Sequence, residues 1–150
     1  MSARRDPNEI VQPSQGVVAI IGRPNVGKST LFNIFTGTRK AVVKDQPGVT
    51  RDIQIAPAEW CSSKFDLMDT GGLTDAADQF SVMIKEQVLK TLESVDLIIV
   101  VMDGRAGLCP EDRDVMRIVH RSEKPFLIVV NKVDSRQEVE NAKIEFAEFS

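Results

Sequence analysis

Three short stretches carry side chains whose types and spacing could do chemistry: GRPNVGKS at 22–29, DTGGL at 69–73 and NKVD at 131–134. The first matches GxxxxGK[ST], set between an apolar run and a helix-patterned stretch, STLFNIFTG, which Gly37 closes. Gly22 and Gly27 permit a loop whose N–H groups converge on phosphate oxygens, and the helix start adds its partial positive charge. Lys28 can place an ammonium between two phosphates, and the Ser29 hydroxyl can ligate Mg²⁺. The candidate phosphate loop is therefore Gly22, Arg23, Pro24, Asn25, Val26, Gly27, Lys28, Ser29 and Thr30. A strand-to-helix turn with a chance lysine would share the glycines but not the whole pattern in this order. The motif alone leaves ATP and GTP open.

NKVD narrows the base. An Asp carboxylate only accepts hydrogen bonds, and guanine presents N1–H and N2–H₂ as adjacent donors. Adenine would set a lone pair against that carboxylate. A site built on such pairing rejects the wrong partner by on the order of 10⁴. Asp134 is thus the candidate base reader. Asn131 can tie its loop to the phosphate loop or bond guanine N7, and the methylenes of Lys132 can cover the ring face. NKxD on its own fits a solvated strand-end turn equally well; following GxxxxGKS at this separation, it reads guanine.

The elements that must position these residues come from three apolar runs: VVAII (17–21), LIIVVM (97–102) and FLIVV (126–130). Their length and β-branched content predict strands buried on both faces, as in a parallel sheet. Ile84, Val88, Leu92 and Val95 share one helix face. DIQI (52–55) alternates, and KFDLMD (64–69) follows across the loop CSS, which predicts a hairpin and one antiparallel strand. Strands alternating with helices give a three-layer α/β fold. Gly22, Asp69, Asp103 and Asn131 end the strands, where open α/β sheets bind ligands.

The totals agree with a single soluble domain: 150 residues, 42% hydrophobic and 27% charged. The net charge of -3 argues against non-specific affinity for nucleic acid, DNA included, or an acidic membrane surface. No apolar run approaches the roughly 18 residues that span a bilayer. Residues 1–16 read as a disordered tail without a secretory signal. Cys61 and Cys109 lie outside metal-ligand spacing and read as reduced thiols of a cytoplasmic protein, with an organellar matrix the lesser alternative.

Phosphate loop, DxxG and NKxD in this order resemble a translation-factor-class GTPase domain. The wording is more specific: GRPNVGKSTLFN, PGVTRD (47–52), DTGG (69–72), VMDGRAGLCPED (101–112) and KPFLIVVNKVD (124–134) resemble the first G domain of the Der (EngA) family. Era and MnmE are near relatives that share the phosphate-loop wording. The match runs over about residues 17–134.

The resemblance implies a Ras-like P-loop fold, with a mostly parallel sheet and one antiparallel strand, that binds GTP and GDP and hydrolyses GTP with Mg²⁺. It implies that Ser29, Thr50 and Asp69 serve Mg²⁺, Asp69 through a water. Lys28, Asn25, Thr50 and Gly72 are then the candidate catalytic residues, and Asp69, Thr70, Gly71, Gly72 and Leu73 flank the γ-phosphate. Leu73 stands where Ras-like proteins use a glutamine to orient water. It can neither donate nor accept, so hydrolysis must be slow or assisted, and the resemblance implies K⁺ held by Asn25. A nucleotide-gated switch with negligible turnover is the alternative. The resemblance further implies a ribosomal subunit as partner, and a second G domain and a KH-like domain in the full-length protein. GTPases of this type continue past NKxD with a strand and helix. Residues 17–150 are therefore expected to form an incomplete G domain, whose end (Ile144, Phe146, Phe149) is one helix.

Weaker signals stay structural. Arg113, Arg117 and Arg121 read as a solvated helix face, with an RNA or a neighbouring domain as the alternative. His120 and Trp60 read as packing, and Cys109 as a poor N-cap.

Overall fold

The structure is a computed structural model that describes residues 16–37, 42–44, 53–75 and 82–149. Six strands form one sheet: β1 (Val17–Ile21), β2 (Val42–Lys44), β3 (Ile53–Trp60), β4 (Ser63–Asp69), β5 (Leu97–Asp103) and β6 (Phe126–Asn131). Their spatial order is β2-β3-β4-β1-β5-β6. β1 runs parallel to β4 and β5, and β5 parallel to β6. β3 alone opposes its neighbours, β2 and β4. This is the three-layer fold with one antiparallel strand.

Alternation along the central strands divides the core. Ala19, Ile21, Ile98, Val100 and Met102 face one side, under α3 (Val82–Leu92) and α4 (Pro110–Ser122). Ile84, Val88, Leu92 and Val95 meet them there, each no more than 2% exposed. Ile20, Ile99, Val101 and Leu67 face the other side, where α1 (Lys28–Thr36) packs through Phe32. Two further helices, α2 (Gly71–Thr74) and α5 (Arg136–Glu145), stand at the strand ends. Among the described residues no helix is long and apolar enough to cross a membrane.

Three expectations need correction. The strand at DIQI continues through Pro57 to Trp60, and the turn is only Cys61-Ser62, with φ of 48° and 67°. Both central residues are left-handed, as a type I′ two-residue hairpin turn requires. Pro57 lies within this strand, opposite Asp66 of β4, and the described residues of β2 pair with Ile53–Ile55 only. Second, β6 is not buried on both faces. It is the outer strand, and Leu127 is 57% exposed. With Val18, Ile99, Val129, Phe35 and Phe65 it lines an open apolar groove of about 410 Å³ on the α1 side. Third, the last helix stops at Glu145 and a 3₁₀ turn, Ala147–Phe149, follows; Phe146 is buried while Ile144 is 79% exposed.

The weaker signals fall into place locally. Arg113 pairs with Glu148 at 2.6 Å and Arg117 with Asp114 at 2.7 Å, both at the surface. His120 meets Phe126 edge-on at 5.4 Å, and Trp60 meets Phe35 at 5.5 Å. Cys61 and Cys109 are free thiols.

Candidate functional site

The loop after β1 begins at Gly22, where a Cβ would stand 2.6 Å from the carbonyl oxygen of Val101 on β5. No larger residue lets the chain leave the sheet here. Asn25 turns the loop with φ 66°, a left-handed conformation that Asn tolerates better than most residues. This backbone demand is reason enough for an asparagine. Val26 anchors the loop in the core, fully buried. Gly27 caps α1 with φ 102°, and a Cβ there would collide with the Asn131 amide. Arg23 and Pro24 are half-buried, while Ser29 and Thr30 lie exposed in the first turn of α1.

The Asn-Lys-x-Asp loop hangs on this one. Asn131 Nδ2 donates to the carbonyl of Val26 at 3.1 Å. Lys132, at φ 62°, donates from Nζ to the Asn25 carbonyl at 2.8 Å and to Asp103 Oδ2 at 3.0 Å. Of the two roles open to Asn131, the structure shows the tie to the phosphate loop. Asp103 also accepts the N–H groups of Arg105 and Ala106 through Oδ1, both at 2.9 Å. Burial pushes the Asp103 carboxyl up, but the Ala106 N–H, the Lys132 ammonium and the Arg105 N–H outweigh it and hold it below the usual carboxylate range. Asp134 is exposed, its Oδ2 2.8 Å from the Arg105 guanidinium, and its own N–H donates to Glu138 at 2.9 Å.

At the end of β4, Thr70 is fully buried and its hydroxyl donates to the Ile20 carbonyl at 2.8 Å, which pins the strand end to β1. Asp69 is half-buried and accepts the Gly71 N–H at 2.8 Å. Burial raises its pKa above the ordinary value, opposed by the Gly71 N–H and the Lys28 charge. Gly72 is exposed in the first turn of α2, where a helix offers its N–H no acceptor. Leu73 is fully buried in the core under α3. Packing in that core accounts for its type. Thr50 lies outside the described residues.

Two charged partners escaped the sequence reading. Lys28 is buried, and its ammonium meets Asp75 Oδ1 at 2.8 Å and the Arg23 carbonyl at 2.7 Å. Arg23 Nε lies 3.3 Å from Asp112 Oδ1, and that aspartate is almost wholly buried. The Asp112 carboxylate, at the third position of α4, also accepts the N–H of Cys109, the N-cap residue, as in a capping box. Neither pair leaves a local pattern, being 47 and 89 residues apart along the chain. The DGRAGLCPED wording was the available hint for Arg105 and Asp112.

A phosphate loop after β1, a carboxylate after β4 and an Asn-Lys-x-Asp loop after β6 converge on one rim of a mostly parallel sheet. This is the arrangement of P-loop guanine-nucleotide-binding proteins. Residues 17–132 match the family described as "50S ribosome-binding GTPase", and the chain belongs to that family. It is 50% identical over 132 residues to the GTPase Der of Persephonella marina, a match that covers 87% of this chain and 29% of the relative. The chain therefore spans under a third of the length of such curated relatives. Among solved structures it is similar to Aquifex aeolicus Era bound to GDP·AlF4⁻, with 29% identity, TM-score 0.68, and 89% of this chain and 46% of that one covered. Era in complex with MgGDPNP and a piece of 16S ribosomal RNA is also similar, with 29% identity, TM-score 0.66, and 89% and 45% covered.

Proposed function

We propose that this chain is the guanine-nucleotide-binding and GTP-hydrolysing part of a Der-like GTPase. The observation that carries the reading is the pair of hydrogen bonds from Asn131 and Lys132 to the carbonyls of Val26 and Asn25, which seat a guanine-reading loop on a phosphate loop. Phosphates lie along the N–H groups of residues 22–30, with Lys28 as their counter-charge. Asp134 reads guanine N1–H and N2–H₂. The donors for Mg²⁺ fit a hard cation that keeps its waters: an exposed Ser29 hydroxyl, the half-buried Asp69 carboxylate and, by family resemblance, Thr50. Mg²⁺, and K⁺ near Asn25, would offset charge growing on the bridging and terminal phosphate oxygens. The Gly72 N–H orients the γ-phosphate, and backbone takes over the positioning that Leu73 cannot perform.

The likeness to Der and, for RNA, to the Era complex supports a ribosomal subunit as partner, and the same reading takes in a cytoplasmic site of action and a second G domain and KH-like domain elsewhere in the protein. Residues 17–150 act as the G domain. The complete burial of Leu73 favours one other reading, a nucleotide-gated switch with negligible turnover. Direct titration tests the assignment. GDP is expected to bind well above ADP, and Asp134→Asn to weaken GDP while gaining xanthosine diphosphate, because an amide donates to the xanthine 2-carbonyl. Unchanged GDP affinity in that variant would remove the guanine assignment.

A further inference from the structure

Lys28 has a partner outside the phosphate loop. Asp75 caps α2, its N–H donating to the Gly71 carbonyl at 2.9 Å and its Oδ1 within 3.3 Å of the Thr74 hydroxyl. From there Oδ1 reaches the Lys28 ammonium at 2.8 Å. The lysine side chain is 3% exposed and the aspartate 43%. A Cβ built on Gly71 would lie 3.3 Å from the other Asp75 oxygen and 3.1 Å from Asp69 Oδ1, so both carboxylates border one corner. That corner, between the phosphate-loop lysine and the end of β4, is where the proposed function places the terminal phosphates.

We infer that Asp75 is an affinity-determining residue, an internal phosphate mimic that competes with the nucleotide's phosphates for Lys28. The inference rests on the guanine-nucleotide reading. A carboxylate offers an ammonium what a phosphate offers: a negative charge and acceptor oxygens without a proton. Lys28 has three donors, of which the Arg23 carbonyl takes one and Asp75 another. A phosphate adds more charge and the helix N-terminus, so it prevails, and Asp75 moves to water that already reaches it. Asp69, the like charge beside it, assists that departure. Measured affinity is then reduced by the share of molecules in which Asp75 holds the lysine. The pair at the opposite end, Arg105 with Asp134, cannot act as strongly. Both its side chains are about two-thirds exposed or more, and water screens such pairs to little effect.

The test titrates GDP and guanosine separately into the full chain, its Asp75→Asn variant and its Asp75→Ala variant. GDP is expected to bind about tenfold tighter to both variants, the change that one decade of competing occupancy produces. Guanosine, which has no phosphate, is expected to bind all three chains alike. A merely structural Asp75 would weaken both ligands on removal. If the parent chain binds GDP and both variants bind it no more tightly, Asp75 is not a competitor and the inference is overturned. If the parent prefers neither GDP over ADP nor guanosine over adenosine, the functional reading falls and this inference with it.

Discussion

Replacing Asp112 with alanine should be among the most damaging single changes available at the phosphate loop. The carboxylate does two things at once. It accepts the Cys109 N–H at 2.9 Å, capping α4, and it faces Arg23 Nε at 3.3 Å. Loss of the cap bond costs about 1 kcal/mol. Arg23 Nε and Nη2 are buried and make no hydrogen bond among the described residues, so the ion pair with Asp112 is what offsets their burial. Removing the partner of a buried charge costs about 3–5 kcal/mol. The low end applies, because the arginine side chain is 14% exposed and can relax toward water. Burial disfavours the Asp112 anion, its pKa being raised chiefly by desolvation, and relief of that penalty returns part of the cost. The net is a loss of about 3 kcal/mol, or roughly 6–12 °C in melting temperature for a chain of this size. Thermal and urea unfolding without nucleotide measure it directly, since bound ligand would add its own stabilisation. The double variant Arg23→Met, Asp112→Ala removes the stranded charge and should recover about 2 kcal/mol of the loss. A drop under about 2 °C for Asp112→Ala, or a double variant no more stable than the single, refutes the reasoning.

Three further outcomes follow from the same geometry. Hydrolysis should run faster in K⁺ than in Na⁺, and Asn25→Ala should erase the difference with GDP affinity nearly intact; equal rates in the two salts would leave only the backbone explanation for Asn25. The folded pKa of Asp103 is depressed, so its stabilisation is present above the unfolded value of about 3.9 and is lost as pH falls through the folded value. Asp103→Asn should therefore cost about 1–2 kcal/mol at pH 7 and progressively less below pH 4 in paired denaturation curves, and a gap independent of pH would contradict this. Leu127→Lys should cost under about 1 kcal/mol and reduce aggregation, as read by light scattering, because the residue stands exposed on the outer strand.

Legibility in the sequence followed the range of the cause. The β1 and β5 runs, the α3 face from Ile84 to Val95 and the phosphate loop are local patterns, and each took its expected place. The rim was legible too, because Gly22, Asp69, Asp103 and Asn131 end their strands in polar or glycine residues. Local signals also misled. The strand at DIQI runs on to Trp60, and Cys61-Ser62 adopts a turn usually given to Asn-Gly. The ion pairs Lys28–Asp75, Arg23–Asp112 and Arg105–Asp134 join residues 47, 89 and 29 apart, and no spacing rule connects them. Leu73 was visible as a departure from the Ras-like pattern, but its reason lies in three dimensions, in the core under α3.

The hydrogen bonds from Asn131 and Lys132 to the phosphate loop set a fixed length between two half-sites. A nucleotide meets them as a chelator meets two metal-binding arms: once one end is seated, the other experiences a high effective concentration of its own pocket. The translational freedom lost on binding is surrendered once for both ends. Guanosine and pyrophosphate offered as separate molecules surrender it twice, and their binding energies should sum to less than that of GDP. Asn131→Ala loosens the spacing without touching a phosphate contact, so it should weaken GDP more than it weakens either half.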